Sequence, residues 1–155
     1  MYLYFGFGLE MVQLFMKNIC PDAVFYGVSI CKHFRFHISY DGLANIQPSF
    51  HSRVYGVLWK LHPQDKQKIS HWAGEYFEER IEETHLMEVL RFAQNEQTEI
   101  PKQDHQHNTK AFLYRTENKK TGIPTKDYMD LLLGQLQYYG ISQDYLSELR
   151  LWLLI

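Results

Sequence analysis

Cysteine is scarce in this chain. Cys20 and Cys31 are the only two, and they form neither a Cys-x-x-Cys pair nor a metal-ligand spacing. That excludes a redox dithiol and a cysteine-built metal site, and it points to buried structural thiols in a reducing compartment. Positive charge is not in excess: 16 Lys and Arg face 18 Asp and Glu, for a formal net charge of -2. No bulk attraction to nucleic acid or to an anionic membrane follows, so neither is expected as a partner. No apolar run reaches the length of a membrane span. No basic segment followed by a long apolar core opens the chain, so no signal peptide is read and a cytoplasmic location is expected. Ser49 and Ser70 lack the context of a nucleophile elbow, so a serine triad has no support. His105-x-His107 stands without a third ligand nearby, and no metal site is read there.

What the chain has in quantity is aromatic residues, with 11 Tyr and 10 Phe in 155 residues. They suit a β-rich core and a pocket with aromatic walls. The length fits one domain over residues 1–155. Tyr2 to Phe7 reads as a buried strand, Gly8 as a tight turn, and residues 9 to 18 as a helix with Leu9, Val12, Phe15, Met16 and Ile19 on one side. A glycine at the turn lets backbone approach a ligand, and the free N–H groups of a helix start can hold an anion or a carbonyl oxygen.

Ala23 to Tyr40 is one long strand or two. Leu43 to Gln47 reads as a short strand stopped by Pro48. Arg53 to Leu61, apolar on both faces, reads as a central strand. A short helix opens at Pro63 and stops at Gly74. Glu78 to Glu83 is acidic without a strong period and reads as a solvated edge. Leu86 to Phe92 and Lys110 to Arg115 read as strands, with a polar loop from Asn95 to Asn108 between them. From Thr125 a helix carries Tyr128, Leu131, Leu132, Gln135 and Leu136 on one face and closes at Gly140. Ser142 caps a last helix to about Leu151. The element order is α+β, with a mixed sheet curled towards a barrel.

Four blocks, in register along nearly the whole chain, carry a resemblance. They are Tyr4-Phe5-Gly6-Phe7-Gly8-Leu9-Glu10, Gly42-Leu43-Ala44-Asn45-Ile46-Gln47-Pro48, Val54-Tyr55-Gly56-Val57-Leu58-Trp59-Lys60 and Pro124-Thr125-Lys126-Asp127-Tyr128. Together they resemble the γ-glutamylcyclotransferase-like (AIG2-like) proteins. The resemblance implies a small mixed β-barrel with flanking helices and a cleft bounded by the first loop, whose backbone holds a substrate carboxylate or carbonyl. It implies a cyclisation in which the substrate's own amine attacks its side-chain carbonyl, with no cofactor and no metal. Tyr4, Phe5, Gly6, Phe7, Gly8, Leu9 and Tyr128 then fall on the substrate-binding positions.

The family's proton-carrying glutamate falls on Ala73, and an alanine carries no proton. Leu9-Glu10 stands where the family has Ser-Asn. A carboxylate elsewhere would have to serve, with Glu75 and Glu10 as candidates, Tyr128 beside them, and His71 as a third choice. Glu75 neighbours the vacated position. Glu10, at a helix N-terminus, is expected to be held as the anion with a lowered pKa. Each also has a plain alternative as a solvent-facing charge. Two functions stay open. One is an altered enzyme that cyclises, eliminates or cleaves an amide on a small or carrier-bound substrate. The other is an inactive relative that binds a ligand or a protein partner in the same cleft. The oligomeric state is left open.

Overall fold

The computed structural model describes residues 1–87 and 108–154. The expected loop over 95–108, with His105 and His107, lies outside these residues apart from its last member. So does most of the strand expected over 86–92.

Among the described residues, five strands close into a barrel in the order β1-β3-β2-β4-β5. They are β1 (Tyr2–Gly6), β2 (Val24–Ile38), β3 (Ala44–Leu61), β4 (Glu78–Leu86) and β5 (Asn108–Arg115). Antiparallel pairing joins neighbours round the barrel, and β1 meets β5 in parallel at Tyr4 and Phe112. The helices are α1 (Gln13–Ile19), α2 (Pro63–Ala73), α3 (Lys126–Tyr138) and α4 (Gln143–Arg150). The α+β barrel with flanking helices is therefore what the chain forms.

Alternation along the strands splits the core into two layers. Tyr4, Val57, Trp59, Phe112 and Tyr114 pack with Met129, Leu132 and Leu136 of α3 and with Tyr145, Leu146 and Leu149 of α4. Phe5, Val54, Leu58, Ala111 and Leu113 form the second layer on the other side of the sheet. Trp59, near the C-terminal end of β3, has no exposed surface. β3 pairs with β1 on one side and β2 on the other, which is why its sequence is apolar on both faces.

One open choice is settled and three local expectations are corrected. The stretch Ala23 to Tyr40 folds as one strand, kinked by irregularities between Phe25 and Gly27 and between Lys32 and Phe34. Pro48 does not end a strand: β3 runs on to Leu61. Pro48 pairs with Phe34 at the edge of the second irregularity, where the ladder can spare the N–H that proline lacks. The acidic stretch is a strand, since Glu78 to His85 pair residue by residue with Arg115 to Asn108. Ile81 on its outer side is exposed, and no residue from Glu78 to Glu83 is buried on either face, so no apolar alternation marks this part of the strand. Finally, α3 buries Met129, Leu132 and Leu136 and leaves Leu131 half exposed. The buried stripe is turned by about one residue from the expected one, because Tyr128 faces a cavity instead of the core.

Close packing of β1 on β3 constrains one glycine strongly. A Cβ at Gly56 would lie 2.6 Å from the Gly6 carbonyl oxygen and 2.6 Å from the Phe5 ring. Gly134 in α3 has open space around it. Gly56→Ala should therefore cost about 1–3 kcal/mol or more of stability. Gly134→Ala should be neutral or stabilising by up to about 1 kcal/mol. Urea unfolding of the two variants checks this, and equal effects would contradict the tight approach of β1 to Gly56.

Candidate active site

The chain leaves β1 at Gly6 and makes a 3-10 turn over Leu9–Met11 before α1 starts at Gln13. The helix start expected at Leu9 is thus a tight turn. Two aromatic residues from distant parts of the chain hold its carbonyls. Trp59 Nε1 donates to the Glu10 carbonyl at 2.9 Å, and the Tyr139 hydroxyl donates to the Met11 carbonyl at 2.9 Å. The turn is therefore pinned, and Glu10 with it.

The Glu10 side chain points inwards and is only 5% exposed. The Tyr4 hydroxyl donates to its Oε2 at 2.6 Å. Two glycines make room for it. A Cβ at Gly6 would lie 2.7 Å from Glu10 Cβ, and one at Gly8 would lie 3.0 Å from Glu10 Oε1 and 3.2 Å from the Tyr128 hydroxyl. Gly8 is thus the gap between an acid and a phenol.

Burial raises the Glu10 pKa, against the Tyr4 hydroxyl and the backbone amides of Glu10 and Gly8, which favour the anion. Desolvation wins because a buried carboxylate loses its water before those donors repay it. The lowered pKa expected from a helix terminus is overturned: the helix proper starts three residues later, and the side chain left the solvent. Burial, and then the charge of Glu10, also pushes the Tyr4 phenol well above its ordinary range.

Above Glu10 lies a cavity of about 300 Å³. Phe7 and Leu9 of the first loop, Phe15 of α1, Ala44 of β3, Trp72 and Ala73 of α2, and Tyr128 of α3 are among its walls. Phe15 and Trp72 meet edge to face at 5.6 Å. The Tyr128 oxygen accepts from the Ala44 N–H at 2.9 Å, so its own proton is free to donate into the cavity. Burial holds that phenol far above its usual pKa, and Glu10 and Asp41 add to the effect. It is a donor that stays protonated.

The expected site residues divide. Glu10, Phe7, Leu9, Tyr128 and Ala73 line the cavity, and Gly8 sits between two of its polar atoms. Tyr4 and Gly6 are buried beneath Glu10 and act on it instead of on the cavity. Phe5 points to the opposite layer, as the residue next to Tyr4 in a strand must. Glu75 is exposed and outside the cavity. Gly74 takes a left-handed φ of 88° and turns the chain outwards after α2, so no inward swing brings Glu75 back. His71 is exposed too.

Phe15, Trp72, Phe77 and Tyr114 also line the cavity, and the motif positions do not include them. The signal for Phe15 is its place on the apolar side of the first helical stretch; Trp72 and Phe77 come together only through the fold. Cys20 and Cys31 are free and buried, with thiols pushed up to about 11 and about 12 by burial, which makes them poor nucleophiles. Among the described residues, no three His, Cys, Asp or Glu side chains gather into a metal-sized cluster.

Residues 53–149 match the model of the AIG2-like family. No curated protein sequence matches the chain. Solved structures share the fold. One described as a gamma-glutamyl cyclotransferase superposes with a TM-score of 0.76 at 16% identity, covering 96% of this chain and 86% of its own. A yeast protein described as a gamma glutamyl cyclotransferase specific to glutathione gives 0.61 at 12% identity, over 97% and 94%. An AIG2-like protein of Mus musculus gives 0.57 at 15% identity, over 83% and 82%.

The raised pKa has a consequence for stability. The native state holds the Glu10 proton to higher pH than the unfolded chain, whose glutamate titrates near about 4.3. The stability this provides is complete below the unfolded pKa and is lost as pH rises through the folded one. Glu10→Gln keeps an acceptor for Tyr4 and does not titrate. Its stability relative to the parent chain should rise between about pH 4 and pH 8. Urea melts across that range check it, and a pH-independent difference would mean that Glu10 is not held protonated by burial.

Proposed function

The chain belongs to the AIG2-like family, and we propose that it is an enzyme of that family that moves a proton through Glu10 instead of through a residue at position 73. The observation that carries this is a buried carboxyl with a raised pKa on the floor of an aromatic-walled cavity. A carboxyl lifted towards neutrality both accepts and returns a proton more readily than an exposed one. The reaction class is an intramolecular cyclisation, an elimination or an amide cleavage on a small or carrier-bound molecule.

In the cyclising form, the substrate's amine nitrogen attacks an amide carbonyl. A carbon–nitrogen bond forms to the attacking nitrogen, and the bond to the leaving amine breaks. Glu10 takes the proton from the attacking nitrogen and delivers it to the leaving one. Tyr128 donates a hydrogen bond to the carbonyl oxygen as charge builds there. Phe7 and Leu9 hold the body of the substrate and keep water away.

Substrates with a free carboxylate at the first loop are disfavoured. The backbone amides that would receive it already act on the Glu10 carboxyl, and a second carboxylate beside it would be repelled. Ordinary γ-glutamyl amides should therefore give little 5-oxoproline. A second reading, a ligand-binding chain without turnover, draws on Ala73, an inert methyl on the cavity wall at the position of the family's base.

The test is turnover of a panel of small amino-amides by the purified chain, followed by mass spectrometry. Glu10→Gln should lower the rate about 10²–10⁴-fold, and Tyr128→Phe should lower it less. Full activity in Glu10→Gln would sink the assignment. Binding of panel members without product from any of them would favour the second reading.

A further inference from the structure

We infer that the cavity recognises a compact organic cation, an apolar or aromatic body carrying a protonated amine and no carboxylate. This rests on the assignment of the cavity as the substrate site and names the chemical class that enters it.

Among the described residues, the cavity wall holds two acidic side chains besides its phenols, Glu10 and Asp41, and both are carboxylic. None of the described lysines, arginines or histidines lines it. An anionic ligand would thus enter without a counter-charge and against like charge, whereas a cation meets an acid at the floor and another at the mouth.

The two acids are placed for different steps. Asp41 is exposed and is fixed by its neighbours, with Oδ1 accepting from the Ser39 hydroxyl and from the Leu43 N–H. It can draw a cation to the entrance. Glu10 is buried and tied to Tyr4, so it meets only what has shed its water. Aromatic residues make up most of the rest: Phe7, Phe15, Trp72, Phe77, Tyr114 and Tyr128 all line the space. Their ring faces attract an ammonium as well as an apolar body.

Neutral polar groups add little for an anion. The Tyr114 hydroxyl donates to Glu79 at 3.2 Å, which leaves the Tyr128 hydroxyl as a donor facing the cavity.

Three probes of nearly one shape separate the possibilities: 2-phenylethylamine, 2-phenylethanol and 3-phenylpropionate. Calorimetric titration of the full chain near pH 8 at low salt should give the amine an affinity at least about tenfold above the alcohol. The propionate should bind more weakly than either. Glu10→Gln should cut the amine's affinity about tenfold and leave the alcohol's within about twofold. Should that variant fail to fold, Asp41→Asn, at the exposed mouth, should slow amine association about threefold and make it less salt-sensitive.

Propionate binding as tight as the amine's overturns the inference, as does an amine affinity indifferent to both substitutions or no binding of any probe. Those results leave the role of Glu10 in turnover standing. That role fails separately, through an active Glu10→Gln chain.

Discussion

A carboxyl group kept out of water is the constraint around which this protein is arranged. Glu10 would be an ordinary surface residue if the first loop were free to move. It is buried because Trp59 and Tyr139 hold the carbonyls on either side of it, and because Gly6 and Gly8 vacate the space its side chain fills. Tyr4 then supplies the hydrogen bond that a buried carboxyl needs. Each partner comes from a different segment: β1, the last residues of β3 and the end of α3. The barrel and its helices are what bring them to one place.

That arrangement moves the chemistry within the fold. The resemblance drawn from the sequence puts a proton carrier at the end of α2. Ala73 there contributes a methyl to the wall. A carboxyl reaches the same cavity out of the first loop. The exchange alters more than the identity of a base. The loop's amides now act on a side chain of the protein itself. The cavity in turn has acquired a carboxyl without any cation, among the described residues, to partner it. In the proposed reaction, substrate preference and proton transfer are thus coupled through one residue, and a change at Glu10 would act on both.

Much of the architecture was legible. The two-sided apolar run of Arg53 to Leu61 announced a strand with neighbours on both edges, and Pro63 with Gly74 bounded α2 within a residue. The misreadings share a cause. Glu78 to Glu83 looked like a charged edge because none of these residues is buried on either face, so its strand character lay in pairing with β5. Pro48 looked like a stop because the irregularity that accommodates it, Ser49 to Ser52 of β3 standing against His33 alone, is defined only by pairing with β2. Within the site, the first loop, Tyr128 and Ala73, which line or border the cavity, were all readable as positions of the resemblance. Glu75 was not separable from Glu10, since both are glutamates close to a glycine at the end of an element. Gly74 turns one outwards, while Gly6 and Gly8 let the other in.

By itself, the sequence determined the barrel class and the aromatic first loop. These depend on residue type and on spacing along the chain, which local sterics and periodicity convert directly into structure. Only the tertiary structure decided which glutamate is buried, what it bonds to and which rings enclose the cavity. Desolvation is the reason: a carboxyl's pKa and its reach are set by neighbours as distant in sequence as Tyr4, Trp59 and Tyr128, and no pattern read along the chain states which of them will meet.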